Sequence, residues 1–322
     1  MENIALTREV PTSLSGVRLD QGAAQLFPDF SRSRLQGWIK SGQLRVDGEQ
    51  KAPKAKLLGG ELLEVNAVVE ENEAWEPQAI GMDIVYEDED ILVINKPAGL
   101  VVHPAAGHAD GTLLNAILHH APSVAALPRA GIVHRLDKDT TGLMVVAKTL
   151  RAHKCLVEQL QDRSMGREYE AVVLGVMTGG GTVDEPIGRH GTQRIKMSVS
   201  HSGKPAITNY TIIKRFREHT HLRIKLETGR THQIRVHMAH IRYPIVGDPL
   251  YGGRLRLPKA AQPELVDLLR EFKRQALHAK KLALIHPASE ELLQWECELP
   301  QDMQQLLQLL KADTEAFNQD VY

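Results

Sequence analysis

A chain of 322 residues that is 42% apolar and 25% charged has the composition of an ordinary globular protein. It is longer than the roughly 250 to 300 residues at which single cores stop growing, so a large and a small domain are expected. No run of about 18 apolar residues is present to cross a bilayer, which excludes a membrane-spanning helix. The start, "MENIALTREVPTSLSGVRLD", lacks the basic, apolar and small-residue succession of a secretory signal, and the two cysteines, Cys155 and Cys297, have no metal-type spacing. Both features point to the reducing cytoplasm. The net charge of −1 conceals segregation: residues 17–57 hold eight Lys/Arg against four acids, 58–90 hold eleven acids and no base, and 193–256 hold thirteen bases against three acids. Two basic segments separated by an acidic one suggest two contact surfaces for a polyanion.

Along the chain, Leu19, Ala23 and Leu26 keep helical spacing until Pro28. Ser31 or Ser33 then caps a second helix with an apolar face of Leu35, Trp38 and Ile39, which Gly42 stops. "LRV", a turn at Asp47–Gly48 and a strand ending in "LLEV" carry hairpin chemistry. Residues 66–81 are acidic and aperiodic, as a connector is. Beyond them, "DIVYEDEDILVINKP" reads as a hairpin, "TLLNAILHH" and "HKCLVEQLQ" as helices, "EYEAVVLGVM" and "HLRIKLET" as strands, and "MQQLLQLLKADTEAF" as a terminal helix carrying Leu306, Leu309 and Leu310. Strands and helices do not alternate regularly. The expected fold is therefore α+β, a mixed and mainly antiparallel sheet with helices packed on it.

The stretch "GIVHRLDKDTTGLMVVAKT" (131–149) sets His, Arg and two aspartates between two apolar runs. Extended geometry over 132–136 turns Val133, Arg135 and Asp137 one way and Ile132, His134 and Leu136 the other. "KDTTG" supplies a turn, and "LMVVAK" a strand buried on both faces. A carboxylate at the end of a buried strand is well placed for catalysis. On the residues alone, a polar turn with Asp137 or Asp139 accepting backbone hydrogen bonds accounts for the stretch slightly better.

The N-terminal segment resembles the alpha-L RNA-binding domain in "RLD" (18–20), "SRSRL" (31–35), Gly42 and "VDG" (46–48). That likeness assigns Arg32, Arg34 and Lys40 on the second helix to RNA phosphates. "HRLDKDTTGL" (134–143) resembles the signature loop of pseudouridine synthases of the ribosomal large-subunit type. Four further blocks follow in family order: "ILVINKPAGLVVHPAAG" (91–107), "REYEAVVLG" (167–175), "GKPAITNY" (203–210) and "LETGRTHQIRVHMAHIRYPIVGDPLYG" (226–252). The resemblance implies an alpha-L domain at 13–75, a linker at 76–82 and a catalytic domain at 83–322.

By position, the resemblance makes Asp137 the essential aspartate, Tyr169 the active-site tyrosine, Arg235 the arginine paired with the aspartate, and Arg135 the side chain that enters the RNA stack vacated by a flipped uridine. The implied reaction breaks the bond between base nitrogen and ribose carbon 1, rotates the uracil and rejoins it through carbon 5. The carboxylate either attacks the sugar or removes the proton from ribose carbon 2, and both routes stay open. No cofactor is needed. If "THQIRVHMAHI" is a helix, Ile234, Met238 and Ile241 form its buried stripe with Arg235 at the margin, and Arg230 near its start is placed to hold a phosphate. His232, His237 and His240 lack the spacing of a zinc hydrolase, so no metal is expected. The implied partner is large-subunit ribosomal RNA or a pre-ribosomal particle, bound by a monomer. A competing reading is an RNA-binding ribosome-assembly factor whose catalytic activity is secondary.

Overall fold

The computed structural model describes residues 2–28, 30, 32–69, 75–104, 108–193 and 195–320. The chain divides into two compact units, Met1–Trp75 and Glu76–Tyr322.

In the first unit, β1 (Glu2–Glu9) precedes α1 (Leu19–Leu26), α2 (Arg32–Ser41), β2 (Leu44–Val46) and β3 (Leu62–Val69). Ser31, one of the two expected caps of α2, lies outside the described residues. The strands form an antiparallel sheet in the order β1-β3-β2. Leu19 and Ala23 of α1 and Leu35, Trp38 and Ile39 of α2 join Leu44, Val46, Leu63 and Val65 in one core. Asp47 and Gly48 both have positive φ, 51° and 76°, as a tight turn of this type requires. That turn returns the chain only as far as Glu49, which bridges Val46, and the partner of β2 arrives later as β3. Asp20, fully buried, accepts from Arg18, Arg32 and Gln36 and so ties α1 to α2. Burial opposes ionisation of its carboxyl, but the hydrogen bonds from Arg32, Gln36 and Arg18 prevail and hold it at about 2.

The second unit opens with residues 76–82, which form no helix or strand. The Glu76 carbonyl accepts from Asn115 Nδ2, and Gln78 bonds Asn115 and Gly111, so this segment is fastened to the unit. Then come β4 (Asp83–Glu87), β5 (Ile91–Lys96), α3 (Leu113–His120), β6 (Thr141–Ala147), α4 (Leu150–Gln161), β7 (Gly166–Leu174), β8 (Gly181–Asp184), β9 (Ile187–Arg189), β10 (Met197–Val199), β11 (Ile207–Arg215), β12 (His219–Leu226), α5 (Gln233–His240), α6 (Pro263–Glu271), β13 (Leu277–Ile285), β14 (Leu292–Glu296) and α7 (Gln301–Asp320). Strands β9 and β10 form a separate two-stranded ribbon.

The other strands make one sheet ordered β4-β5-β6-β13-β7-β12-β11-β8, with β14 alongside β13. Every pairing is antiparallel except β6 with β13. One edge of β13 pairs with β7, and the other is shared by β6 at His278–Ala279 and by β14 from Lys281 onward. The unit is a mixed, mainly antiparallel α+β fold.

The unbroken apolar runs of β5 and β6 reflect burial on both faces. Leu92, Ile94, Met144 and Val146 face a large core with α3, α6 and α7, while Ile91, Val93, Leu143 and Val145 face a second core under α4. Leu306 and Leu310 of α7 are buried, with Leu309 packed at the margin.

Candidate active site

The segment 132–140 leads into β6 without forming a strand of its own. Ile132 and Leu136 are buried, Arg135 is exposed, and Asp137 is half-buried, which is the expected alternation. His134 Nε2 accepts the amide of Val145 at 3.1 Å. Burial, reinforced by Arg167, holds the His134 ring near 3, so it stays neutral and able to accept.

A turn follows, closed by the Thr140 amide on the Asp137 carbonyl at 3.1 Å. Asp139 contributes its own carbonyl to Arg274 Nη1, and Gln275 Nε2 donates to Thr140 Oγ1. Beneath the turn lies Lys96 at the end of β5, only 1% exposed. Its Nζ donates to the carbonyls of Pro97, Leu100 and Lys138 at 2.8, 2.9 and 2.8 Å. These bonds tie the loop after β5 to the peptide next to Asp137. Burial pulls this ammonium down to about 8, against the opposing pull of Asp139 and Asp137.

Helix α5 brings the arginine. Its first residue, Gln233, accepts from Thr228 Oγ1 and the Arg230 amide and donates to the Ile207 carbonyl and Thr208 Oγ1, locking the helix entry to β11. Arg235 is buried rather than marginal, because α5 is covered continuously from Gln233 to Met238 while Ile241 is only partly buried. Its guanidinium donates Nη1 to Asp137 Oδ2 at 2.9 Å, and Nε and Nη2 to Asp248 Oδ2 and Oδ1 at 2.7 and 2.9 Å. Burial would weaken the charge on Arg235, but Asp248 and then Asp137 outweigh it and push its ionisation upward. Asp248 is itself oriented by the amides of Leu250 and Tyr251. The planar fork of Arg235 thus has one fully buried partner and one reachable partner, so the Asp137 carboxylate is fixed while part of it stays open.

Tyr169 lies in β7, 6% exposed, opposite Ile224 of β12 and Ala279 of β13. Burial raises its phenol, with Arg167 opposing and Asp137 adding, so the hydroxyl keeps its proton at neutral pH. Asp137, Arg235 and Tyr169 therefore share one electrostatic neighbourhood, with Arg135 exposed beside it. Arg230 is exposed ahead of α5 and donates Nε to the Pro205 carbonyl at 3.0 Å. In the first unit, Arg32 is bonded to Asp20, Arg34 is half-buried, and Lys40 is exposed in the last turn of α2.

Sequence reasoning missed Asp248, although it lies within a quoted block, and missed Lys96, whose acceptors are backbone carbonyls. His237 bonds Thr208 Oγ1 and the Glu185 carbonyl, and His232 bonds Tyr251. Among the described residues no set of three His, Cys, Asp or Glu side chains is arranged to hold a metal.

A family model described as RNA pseudouridylate synthase matches residues 90–240. A Pseudomonas aeruginosa protein named ribosomal large subunit pseudouridine synthase D is 63% identical over 309 residues, covering 96% of this chain and 97% of that one. The Escherichia coli K12 protein of the same name is 57% identical over 321 residues, covering 99% and 98%. Among solved structures, human RNA pseudouridylate synthase domain containing 4 superposes with a TM-score of 0.56 at 27% identity, covering 71% of this chain and 93% of that one. Human RNA pseudouridylate synthase domain containing 1 shares the fold, at 24% identity and a TM-score of 0.53, over 73% and 96%. The sheet, the loop before β6 and these likenesses together define a pseudouridine synthase domain. The chain belongs to the RNA pseudouridine synthase family, and it is an enzyme that isomerises uridine to pseudouridine.

Proposed function

We propose that the substrate is a uridine of large-subunit ribosomal RNA, as the names of the relatives suggest, and that Asp137 is the group that starts the reaction. The observation that carries this is the asymmetric grip on Asp137: Arg235 holds one oxygen while Asp248 holds Arg235. A carboxylate so held keeps its other oxygen for the ribose, where it attacks carbon 1 or takes the proton of carbon 2. In either route the electrons of the broken glycosidic bond pass to the uracil, which must remain bound while it turns. The buried Tyr169 ring suits stacking against it, and water is excluded there.

A uridine in structured RNA has to be flipped out, at a cost of about a few kcal/mol. The exposed Arg135 fills the vacated stack and offsets part of that cost. Arg230 holds a phosphate by its charge alone, since Gln233 already takes its amide. The first unit acts as an alpha-L RNA-binding domain, with Arg34, Lys40 and the exposed part of Arg32 facing phosphates. The enzyme works as a cytoplasmic monomer without a cofactor.

Asp137→Asn tests the site. Arg235 keeps Asp248 in this variant, so the fold should survive, RNA affinity should stay within about two-fold, and pseudouridine formation should disappear. Residual modification by the purified variant would show that another group starts the reaction. Mapping pseudouridines in ribosomal RNA from cells with and without the protein identifies the target; an unchanged large-subunit map counts against the proposed substrate.

A further inference from the structure

One group beside Asp137 has no part in the reaction described above. His232 stands immediately before α5 in the left-handed region, φ 57° and ψ 21°, a conformation that costs a residue other than glycine about 1 kcal/mol or more. Its side chain is largely buried, and the ring meets Tyr251 edge-on, with centroids 5.6 Å apart. Nδ1 lies 2.8 Å from Tyr251 Oη. That hydroxyl oxygen also accepts the amide of Met197 in β10 at 2.9 Å, and giving its own hydrogen to the imidazole uses its donor as well. An imidazole that accepts at Nδ1 carries its proton on Nε2. This second nitrogen lies 4.0 Å from Asp137 Oδ1, the oxygen that Arg235 leaves free.

We propose that His232 is a positioning residue for Asp137: its Nε2–H closes on Oδ1 when RNA is bound and holds that oxygen toward the ribose. The inference rests on the reading of Asp137 as the reacting group. At 4.0 Å the contact is too long for a hydrogen bond, and a movement of about 1 Å closes it, as catalytic contacts often tighten around substrate. Held among the described residues through Oδ2 alone, the carboxylate still rotates about its last bond, and a donor on Oδ1 removes that freedom. Burial pulls the ring below the ordinary histidine value; Arg235 and Arg135 add to this, and Asp137 and Asp248 oppose it. A neutral donor orients the carboxylate without neutralising it, as an imidazolium would.

The test uses full-length enzyme and an RNA carrying the target uridine, with Asp137→Asn as reference. His232→Asn tolerates the left-handed backbone but is too short to reach Asp137. It should lower kcat by about ten- to hundred-fold, with KM for RNA and the unfolding temperature little changed. His232→Gln, which returns an N–H near the Nε2 position, should recover much of that loss. Tyr251→Phe keeps the ring that lies 5.1 Å from the Arg235 guanidinium and removes only the hydroxyl. It should lower kcat less than His232→Asn, and it should add nothing in the double variant. Imidazole nitrogen NMR of the unsubstituted enzyme should find His232 protonated on Nε2. Full kcat in His232→Asn, a Gln variant no better than Asn, additive losses in the double variant, or a proton on Nδ1 would each overturn the proposal. An active Asp137→Asn instead refutes the site reading beneath it, so the two failures are distinct.

Discussion

The three hydrogens of the Lys96 ammonium meet three carbonyl oxygens, and burial holds its ionisation near 8. An unfolded lysine ionises near 10.4. Between those values the unfolded chain binds more protons than the folded one, so stability rises with pH across this window, by up to about 3 kcal/mol from this group. Below about pH 8 both states are protonated and the contribution is flat. Urea unfolding from pH 7 to 10.5, with Lys96→Met as reference, should show this rise only in the unsubstituted protein; parallel curves would mean that Lys96 is not the group concerned. The loop that Lys96 grips through the Lys138 carbonyl contains residues that sequence reasoning could rank only in part. Strand alternation correctly exposed Arg135 and buried Leu136, but it treated Asp137 and Asp139 alike. What separates them in space is Arg235, 98 positions onward, which bonds the side chain of Asp137, whereas Asp139 offers Arg274 only its carbonyl.

Helix stripes and doubly buried strands were legible because one face or two consecutive faces had to be apolar. Leu35, Trp38 and Ile39 are all buried in α2, and β6 is buried throughout. The hairpin of β4 and β5 also appears where acidic turn residues predicted it. Partnerships set by distant chain were not legible. β1 has little apolar alternation of its own and is paired by β3, some sixty residues later. The burial of Arg235 depends on Asp248 across a turn, which no helical period reveals. A close approach of distant chain lies at the base of the loop before β6, where β6 pairs with β13. Gly142 there has φ 112°, and a Cβ on it would stand 2.3 Å from the Ala279 carbonyl oxygen. Gly142→Ala should therefore destabilise the second unit by about 2 kcal/mol or more and lower kcat with it. Calorimetry and turnover on the same preparation check this; a loss under 0.5 kcal/mol would show that the strands separate there easily.

Each of the two units has its own core, and the chemistry belongs to the second. Residues 76–322 alone should keep a cooperative unfolding transition and form pseudouridine when RNA is abundant. Their KM should rise about ten-fold or more, and the dependence of binding on salt should be shallower, because the phosphate contacts proposed for the first unit would be lost. Unchanged affinity and salt slope in the truncated protein would remove the first unit from RNA binding. The position of β13 also constrains how the second unit comes into being. It lies between β6 and β7, yet Leu277, where β13 begins, stands 130 positions after Ala147, where β6 ends. During synthesis the ribosome thus releases two partial sheets, β4-β5-β6 and β7-β12-β11-β8, whose facing edges stay unpaired until β13 emerges. The nascent chain has Asp137, Tyr169 and Arg235 in hand long before it has the strand that joins their supports. An enzyme built this way gains its activity only once β13 has been made, and until then its two open sheet edges are exposed to wrong partners.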